Sequence, residues 1–469
     1  MDRYRRLFSN TVLFAIGTLG SKVLVFLILT PLYTHFLSPE EFGIANMIIQ
    51  AATLIFPITS LTVVNAVIRF GMDRAYPSRD VYSIAFWTVV IGSLLLLPFL
   101  PLLQLIPYLS GYVWIICLYV PMAALRQITA AFVKTREYIR LYAVDGILTT
   151  LLIIVFTAIF LVGLNMGLVG YILAIILSDL CSVLFLGVIA RIDKYIKVKG
   201  IRRGLAKSML RYSIPFIPNA TLWWITNMSD QYIITYMIDP AVGGLYSTGY
   251  KIPTMLTIAS TIFYEAWQVS SITEKDSPTI AQFFNKTFSC LQALVFIGTS
   301  GIILCAKWLT DLLVSDEFFS SWEYIPFLVL ATAFSCFVNF LGSIYVMKKK
   351  STAIMISTVF GAALNIIMNL ILIPFFGAQG AAFATFLSYL IVFIYRSVSV
   401  KKEMPVRFNT PKLLVNLILL LVQSLLMIFE VPGWVWWQLG GFGLIVAINA
   451  KDLIKTAQRL LKRPAKKEA

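Results

Sequence analysis

Long apolar stretches alternate with short polar connections along the whole chain. Most of the stretches are close to the roughly 20 residues that an α-helix needs to cross a bilayer. The pattern therefore predicts an all-α polytopic membrane protein with fourteen transmembrane helices. We number the predicted helices as segments 1 to 14, and they cover residues 8–34, 42–68, 81–103, 112–133, 142–163, 168–190, 210–236, 243–270, 287–306, 324–347, 352–374, 379–396, 413–430 and 432–450.

The two halves of the chain repeat one another. Residues 165–180 match residues 375–390 at six of sixteen positions, two of which are glycines. The shared positions are Gly167/Gly377, Gly170/Gly380, Ala174/Ala384, Leu177/Leu387, Ser178/Ser388 and Leu180/Leu390. Nearer the start of each half, L-S-P-E-E-F-G-I (37–44) matches I-D-P-A-V-G-G-L (238–245). An even number of helices in each copy makes the two copies parallel in the membrane.

The repeat predicts three parts in the chain. Residues 1–200 form an N-terminal lobe of six helices, and residues 201–405 form a second lobe of six helices. Residues 406–469 hold segments 13 and 14 and a basic tail.

Basic residues collect in every second connection. These connections include the N-terminus with Arg3, Arg5 and Arg6, the stretch from Arg191 to Arg211, and the tail from Lys451. The intervening connections carry acidic residues and, among the basic ones, only Lys307. Cytoplasmic loops are enriched in Lys and Arg, so both termini are predicted to be cytoplasmic.

The amino-acid composition also indicates a membrane protein and disfavours binding of nucleic acid. The chain is 59% hydrophobic and 13% charged, so lipid must solvate much of its surface. Its net charge of +16 lies in loops beside helix ends, which favours contact with anionic membrane lipids over binding of nucleic acid. The five cysteines lie in apolar segments without C-x-x-C spacing. We therefore expect no disulfide framework, no metal site and no cofactor.

Polar side chains recur at helical spacing in several segments. In segment 8 they are Ser247, Lys251, Thr254, Thr261, Glu265 and Gln268, and the steps of three, four and seven place them on one helix face. An offset of 201 leads to a similar stripe in segment 2, at Asn46, Gln50, Thr53 and Ser60. Segment 7 adds Asn219, Trp223, Asn227 and Asp230. Polar residues can also simply hold transmembrane helices together, which is the plainer interpretation of the hydroxyls.

Charged side chains inside the segments give a stronger signal, because a Lys or Asp at the centre of a membrane helix costs on the order of 3 kcal/mol unless a partner or water surrounds it. The candidates are Lys22, Arg126, Asp179, Asp230, Lys251 and Glu265. One interpretation is a structural ion pair, for example between Lys251 and Asp230. The other is a hydrated, net-cationic cavity that accepts an anionic cargo.

The amino-acid sequences of three segments resemble those of a known family. The stretch Y-S-I-P-F-I-P-N-A-T-L-W-W-I-T-N-M-S-D-Q-Y-I-I (212–234) and the following G-G-L-Y-S-T-G-Y-K-I-P (243–253) are similar to helices 7 and 8 of the Wzx-type polysaccharide flippases. These flippases belong to the multidrug/oligosaccharidyl-lipid/polysaccharide exporter superfamily. The opening P-L-Y-T-H-F-L-S-P-E-E-F-G (31–43) resembles the end of their first helix and the turn after it.

The resemblance implies a function. A member of this branch would lie in the bacterial cytoplasmic membrane and would move an undecaprenyl-pyrophosphate-linked oligosaccharide, such as a capsule or O-antigen repeat unit, from the inner to the outer leaflet by alternating access. Lys22, Lys251 and Arg126 would hold the pyrophosphate, and Gln50, Asn219, Trp223, Asn227 and Tyr250 would face the sugars. Asp230, Asp179 and Glu265 are candidates for coupling transport to a proton or sodium gradient or to the membrane potential. A polysaccharide polymerase and glycosyltransferases are the implied partner proteins.

Other functions stay open. A teichoic-acid chain or lipid II is an alternative cargo. A membrane enzyme of another class, a polymerase or glycosyltransferase, would need groups poised for acid, base or metal chemistry. The only histidine is His35, at the start of an outer turn, and no outer connection much exceeds about fifteen residues, so we favour a transporter over an enzyme. Drug/cation antiport is disfavoured by Lys22 and Lys251.

Overall fold

The computed structural model describes residues 25–461, apart from Arg74, Lys199, residues 262–279, Lys349 and Arg407. Helices dominate this part of the chain. Each predicted segment overlaps with helix wherever it is described. After a π-helical turn at Val25–Leu29, the main helices are α1 (Thr30–Phe36), α2 (Pro39–Thr59), α3 (Val63–Gly71), α4 (Ser78–Leu96), α5 (Val113–Thr135), α6 (Ile139–Thr157), α7 (Gly167–Ile189), α8 (Arg203–Ser213), α9 (Phe216–Met237), α10 (Pro240–Gly249), α11 (Ile280–Leu313), α12 (Ile325–Met347), α13 (Ser351–Val400), α14 (Thr410–Ile428) and α15 (Trp434–Leu461). Two short helical turns, Leu97–Phe99 and Leu100–Leu103, follow α4 directly.

Within the described residues, nine helices are long and apolar enough to cross a membrane. Shorter apolar helices such as Phe26–Phe36 accompany them. The prediction of an all-α polytopic membrane protein is therefore confirmed.

The described chain forms two compact units. The first runs up to Ser247 and includes Leu313–Phe318, and the second comprises Thr248–Leu312 and the chain from Phe319 onwards. In the first unit, apolar side chains of α3, α4 and α5 pack together with Leu205 and Met209 of α8. In the second, phenylalanine rings join α11, α12 and α13, for example Phe288 with Phe337 and Phe393. The lobe boundaries 1–200, 201–405 and 406–469 stay a prediction.

The repeat leaves the same backbone feature in both copies. Gly167 and Gly377, which the repeat aligns, both have positive φ, at 54° and 57°. Only glycine adopts this region without steric cost. At Gly377 this conformation breaks α13 into the two helices that the sequence predicts as segments 11 and 12.

The motif at residues 37–44 begins α2. The Ser38 hydroxyl accepts a hydrogen bond from the Glu41 backbone N–H at 3.2 Å, and the Glu41 carboxylate accepts one from the Ser38 N–H at 3.1 Å. This capping box satisfies two backbone donors at the helix start, while Pro39 occupies the first turn, where no backbone donor is needed.

Gly43 of α2 and Gly244 of α10 are repeat partners, and they touch each other symmetrically. A Cβ on Gly43 would overlap with the Pro240 carbonyl, and a Cβ on Gly244 would overlap with the Pro39 carbonyl. Each added Cβ would also lie 3.0–3.1 Å from the other glycine's backbone nitrogen. The two helices therefore approach backbone to backbone, as small residues allow in membrane proteins.

Gly43→Ala is expected to lower the thermal stability of the purified protein. The methyl group meets backbone that cannot rotate away, and overpacking of this kind costs about 1–3 kcal/mol or more. The control is Gly146→Ala in α6, where an added Cβ meets nothing within 4 Å, and where alanine should be neutral or slightly stabilising. Equal melting temperatures for the two variants in detergent would contradict the close approach.

Three segments are interrupted where the sequence analysis predicts continuous helices. Segment 2 breaks between α2 and α3, where Leu61 and Thr62 adopt left-handed φ values of 49° and 47°. Segment 7 begins only at Phe216, after Pro215, which supplies no backbone donor, and the preceding residues form the separate helix α8. Segment 8 is broken by a turn at 250–253 next to Pro253, and helix resumes at 254–261.

Candidate functional site

Buried amides tie three helices of the first unit together. Gln50 of α2 donates through Nε2 to Oε1 of Gln231 in α9, and Ser247 of α10 donates to the same Gln231 oxygen at 3.3 Å. The indole N–H of Trp224 donates to the backbone carbonyl of Gln50 at 2.9 Å. All four side chains are at most 9% exposed. Gln50 is thus placed in a polar network by hydrogen bonds that the sequence analysis did not predict, since Gln231 was outside its stripes.

Asp230 lies next to this network. It is 3% exposed, accepts a hydrogen bond from the Tyr246 hydroxyl at 2.8 Å, and accepts another from the Gln231 backbone N–H at 2.9 Å. Hydrogen bonds to a buried carboxylate replace part of its lost hydration. The structure therefore gives Asp230 two defined donors, from α9 and α10.

A second polar cluster joins α5, α6 and α7. Arg126 Nη1 is 3.0 Å from Asp179 Oδ1, and the Arg126 side chain is 34% exposed whereas that of Asp179 is 6% exposed. Asp145 of α6 is 2% exposed and accepts a hydrogen bond from the Ser182 hydroxyl at 2.6 Å. Asp145 interacts electrostatically with both Arg126 and Asp179. Two carboxylates therefore share one guanidinium inside the membrane spans.

The sequence analysis placed Arg126 and Asp179 in different roles and missed Asp145. Asp145 lies only three residues inside segment 5 and was not among the charges considered there. A usable signal was present, because Asp145 and Thr149 occupy one face of α6, and Asp179 and Ser182 occupy one face of α7.

Lys251 lies in the turn between α10 and helix 254–261, and it is partly buried. Its backbone N–H donates to the Thr248 carbonyl at 3.0 Å, and its carbonyl accepts from the Thr254 hydroxyl. The prediction of one unbroken helical face from Ser247 to Glu265 is wrong, because Pro253 cannot donate a backbone hydrogen bond and the helix breaks there.

The remaining candidates are dispersed or undescribed. Asn219 and Trp223 of α9 are exposed, Trp223 by 55%, and Tyr250 is partly buried in the turn beside Lys251. The side chain of Asn227 is not described. Lys22 and Glu265 lie outside the described residues. Among the residues that are described, no group of three or more His, Cys, Asp and Glu residues could hold a metal ion.

Residues 7–267 match the family of polysaccharide biosynthesis proteins, which is more than half of the chain. The chain belongs to this family. The resemblance noted at 31–43, 212–234 and 243–253 is thereby confirmed, since all three motifs lie inside the matched region.

One curated relative is the probable low-salt glycan biosynthesis flippase Agl15 of Haloferax volcanii. It is 26% identical over 193 residues, and the alignment spans 40% of this chain and 40% of that relative.

Two solved structures share the fold. The lipid II flippase MurJ, in an inward closed conformation, has a TM-score of 0.69 at 15% identity, covering 96% of this chain and 100% of the other. An inward-facing multidrug resistance MATE family transporter of the MOP superfamily has a TM-score of 0.63 at 12% identity, covering 83% of this chain and 98% of the other. These likenesses show that the chain shares the fold of these multi-pass membrane proteins.

Proposed function

We propose that this protein is a flippase that moves an oligosaccharide linked to undecaprenyl pyrophosphate from the inner to the outer leaflet of the bacterial cytoplasmic membrane. Alternating access, driven by a cation gradient or by the membrane potential, would carry the head group across. The observation that carries the proposal is the family match over residues 7–267. The name of the relative from Haloferax volcanii, a probable glycan biosynthesis flippase, supports the same class of cargo.

The polar networks in the first unit suit such a cargo. A sugar pyrophosphate cannot enter hydrocarbon without replacement of its hydrogen bonds, and each unreplaced bond costs several kcal/mol. Amides, hydroxyls and aromatic faces can supply those bonds. Of the predicted sugar-facing residues, Gln50 lies in the buried amide network, whereas Asn219 and Trp223 are exposed on α9. Lys22, Lys251 and Arg126 are proposed to bind the phosphates.

One measurement distinguishes a flippase from a membrane enzyme. Purified protein is reconstituted in proteoliposomes with a fluorescent lipid-linked oligosaccharide, and a membrane-impermeant quencher reports which leaflet holds the glycan. A change of leaflet at constant mass supports the flippase. A change in the mass of the glycan lipid would instead indicate a polymerase or glycosyltransferase. Parallel assays with lipid II and with a lipid-linked teichoic-acid chain test the two alternative cargoes.

Asp230→Asn is expected to remove the response of transport to one imposed gradient while preserving the fold. Asparagine keeps the shape and can still accept from Tyr246, but it cannot bind a proton or balance a sodium ion. Transport is measured under proton, sodium or potential gradients. The matched control is Asp193→Asn, which removes an exposed aspartate. If the Asp230 variant responds to every gradient as the unmodified protein does, the coupling residue lies elsewhere, with Asp179 and Glu265 next in order.

A further inference from the structure

An apolar cleft of about 720 Å³ lies within the first unit, along α4 and the short helical turns that follow it. Side chains at steps of three and four residues line it from one end to the other: Ile84, Trp87, Ile91, Leu95, Phe99 and Leu103. One helix face, from Ile84 to Leu103, therefore borders the cleft from one end of the cleft to the other.

The cleft is nearly as long as the membrane is thick. From Ile84 to Leu103 the helix rises about 28 Å at 1.5 Å per residue, against a hydrocarbon core of about 30 Å. The acyl chain of a phospholipid occupies one leaflet, which is half of that thickness. A single chain that fills the cleft must be considerably longer, as a polyprenyl chain is.

The walls of the cleft demand no hydrogen bonds from an occupant. Its two threonines are already engaged with their own helices: Thr88 donates to the Ile84 carbonyl at 2.7 Å, and Thr59 lies 3.3 Å and 3.1 Å from the carbonyls of Ile55 and Phe56. A surface without unmet donors or acceptors favours a hydrocarbon over a polar ligand.

A row of basic residues flanks the Ile84 end of the cleft, where Leu205 and Met209 of α8 belong to the same apolar cluster as Ile84 and Ala85. In α8, Ala206 and Leu210 line the cleft, whereas Arg203, Lys207 and Arg211 are exposed at steps of four residues. Viewed down the helix axis, with about 100° per residue, Arg203 lies about 20° from Leu210, and Lys207 and Arg211 follow at steps of about 40°. The basic face of α8 therefore adjoins the face that lines the cleft. Within the described part of the chain, none of the three bases forms an ion pair, in contrast to Lys197 and Arg202, which both pair with the buried Asp80.

We infer that this cleft docks the polyprenyl chain of the cargo lipid while Arg203 and Lys207 hold the phosphate group, an inference that rests on the proposed function. Charge complementarity fixes the end at which the phosphate lies, and the length of the cleft selects a polyprenyl chain over an acyl chain. The site serves loading of the lipid from the basic side of the membrane.

The docked chain also contacts the break in segment 2. Leu61, in its left-handed conformation, lines the cleft, and the hydroxyl of the neighbouring Thr62 donates to the Ser213 carbonyl at the end of α8 at 2.7 Å. The cleft, the break in segment 2 and the basic helix α8 are therefore in contact with one another. A chain docked in the cleft would touch residues of both the break and α8.

The test uses a polyprenyl phosphate that carries a diazirine on its chain and no sugar. After photolysis of the full-length protein in nanodiscs, mass spectrometry maps the labelled residues. We expect labels on residues 84–103 and on α8. Thr88→Trp, which fills the cleft about 6 Å from its Ile84 end, should reduce this labelling about tenfold, since the displaced contacts are comparable to those of one large apolar side chain. Leu94→Trp is the matched control, because Leu94 is 60% exposed on the same helix and does not line the cleft.

The charge requirement is tested with Arg203→Gln combined with Lys207→Gln. We expect labelling to fall roughly tenfold or more, as the loss of two basic residues at a membrane surface predicts. The control is Arg191→Gln combined with Lys194→Gln, which removes two exposed bases outside α8. Gel filtration and melting temperatures verify that every variant folds.

A phospholipid with a diazirine on its acyl chain distinguishes the occupants. Equal labelling of the cleft by this phospholipid, or absence of labelling by the polyprenyl phosphate, would overturn the inference. Because the probe carries no glycan and no transport is measured, the outcome is independent of the flippase assay. Labelling without glycan transport would leave the docking site standing and refute the proposed function, whereas transport without labelling would do the reverse.

Discussion

Replacing both Lys22 and Lys251 by alanine is expected to abolish glycan export while leaving membrane insertion intact. Each hydrogen bond to a charged group contributes about 1.5–3 kcal/mol, so losing both phosphate contacts reduces transport by roughly a hundredfold or more. Arginine at either position should partly restore export, since it keeps the charge but changes the geometry of the donors.

The measurement is the leaflet assay with the lipid-linked oligosaccharide, together with the amount of protein recovered from membranes. Lys286→Ala is the control for each single alanine variant, because it removes an exposed lysine of α11 and one positive charge, as Lys22→Ala or Lys251→Ala does. Full export by the double alanine variant would show that neither lysine binds the phosphates.

Much of the fold is predictable from the sequence because the membrane imposes one length and one period on every span. Apolar runs of about 20 residues located the helices, and glycines revealed the repeat, since Gly43/Gly244 and Gly167/Gly377 serve a close contact and a left-handed backbone in both copies. The breaks were not predictable in the same way. Leu61 and Thr62 carry no glycine or asparagine signal for the left-handed region, and Pro253 is compatible with either a kink or a full interruption.

The candidate site was predictable only in part, because helical spacing specifies a face but not the helix that packs against it. Asp179 was recognisable as a charge that needs a partner, yet its pairing with Arg126 depends on how α5 and α7 meet. Asp145 and Gln231 were missed for the same reason, since the hydrogen-bond partner of each lies on another helix. These partners are Ser182 for Asp145 and Gln50 for Gln231. The roles proposed for Lys22 and Glu265 rest on the sequence alone.

Arg126→Gln is expected to destabilise the protein strongly. The substitution leaves Asp145 and Asp179 buried at 2% and 4% exposure without their shared positive charge. Removing one partner of a fully buried ion pair costs about 3 kcal/mol or more, whereas an exposed pair contributes only about 0–1 kcal/mol. Because the Arg126 side chain is 34% exposed and that of Asp179 only 6%, the expected loss lies between these two values. The matched control is Lys350→Gln, because Lys350 pairs with Glu403 at 2.7 Å but its side chain is 54% exposed.

The double variant Arg126→Gln, Asp179→Asn separates a structural pair from a coupling site. Neutralising Asp179 as well removes one of the two uncompensated carboxylates and leaves Asp145, so thermal stability should recover part of what Arg126→Gln loses, and the difference measures the coupling between Arg126 and Asp179. If Arg126→Gln melts no lower than Lys350→Gln, the ion pair does not hold α5 and α7 together. If the double variant is stable and its transport still responds to every gradient, Asp179 acts only as the partner of Arg126. A stable double variant that has lost its response to one gradient would instead assign the coupling to this pair.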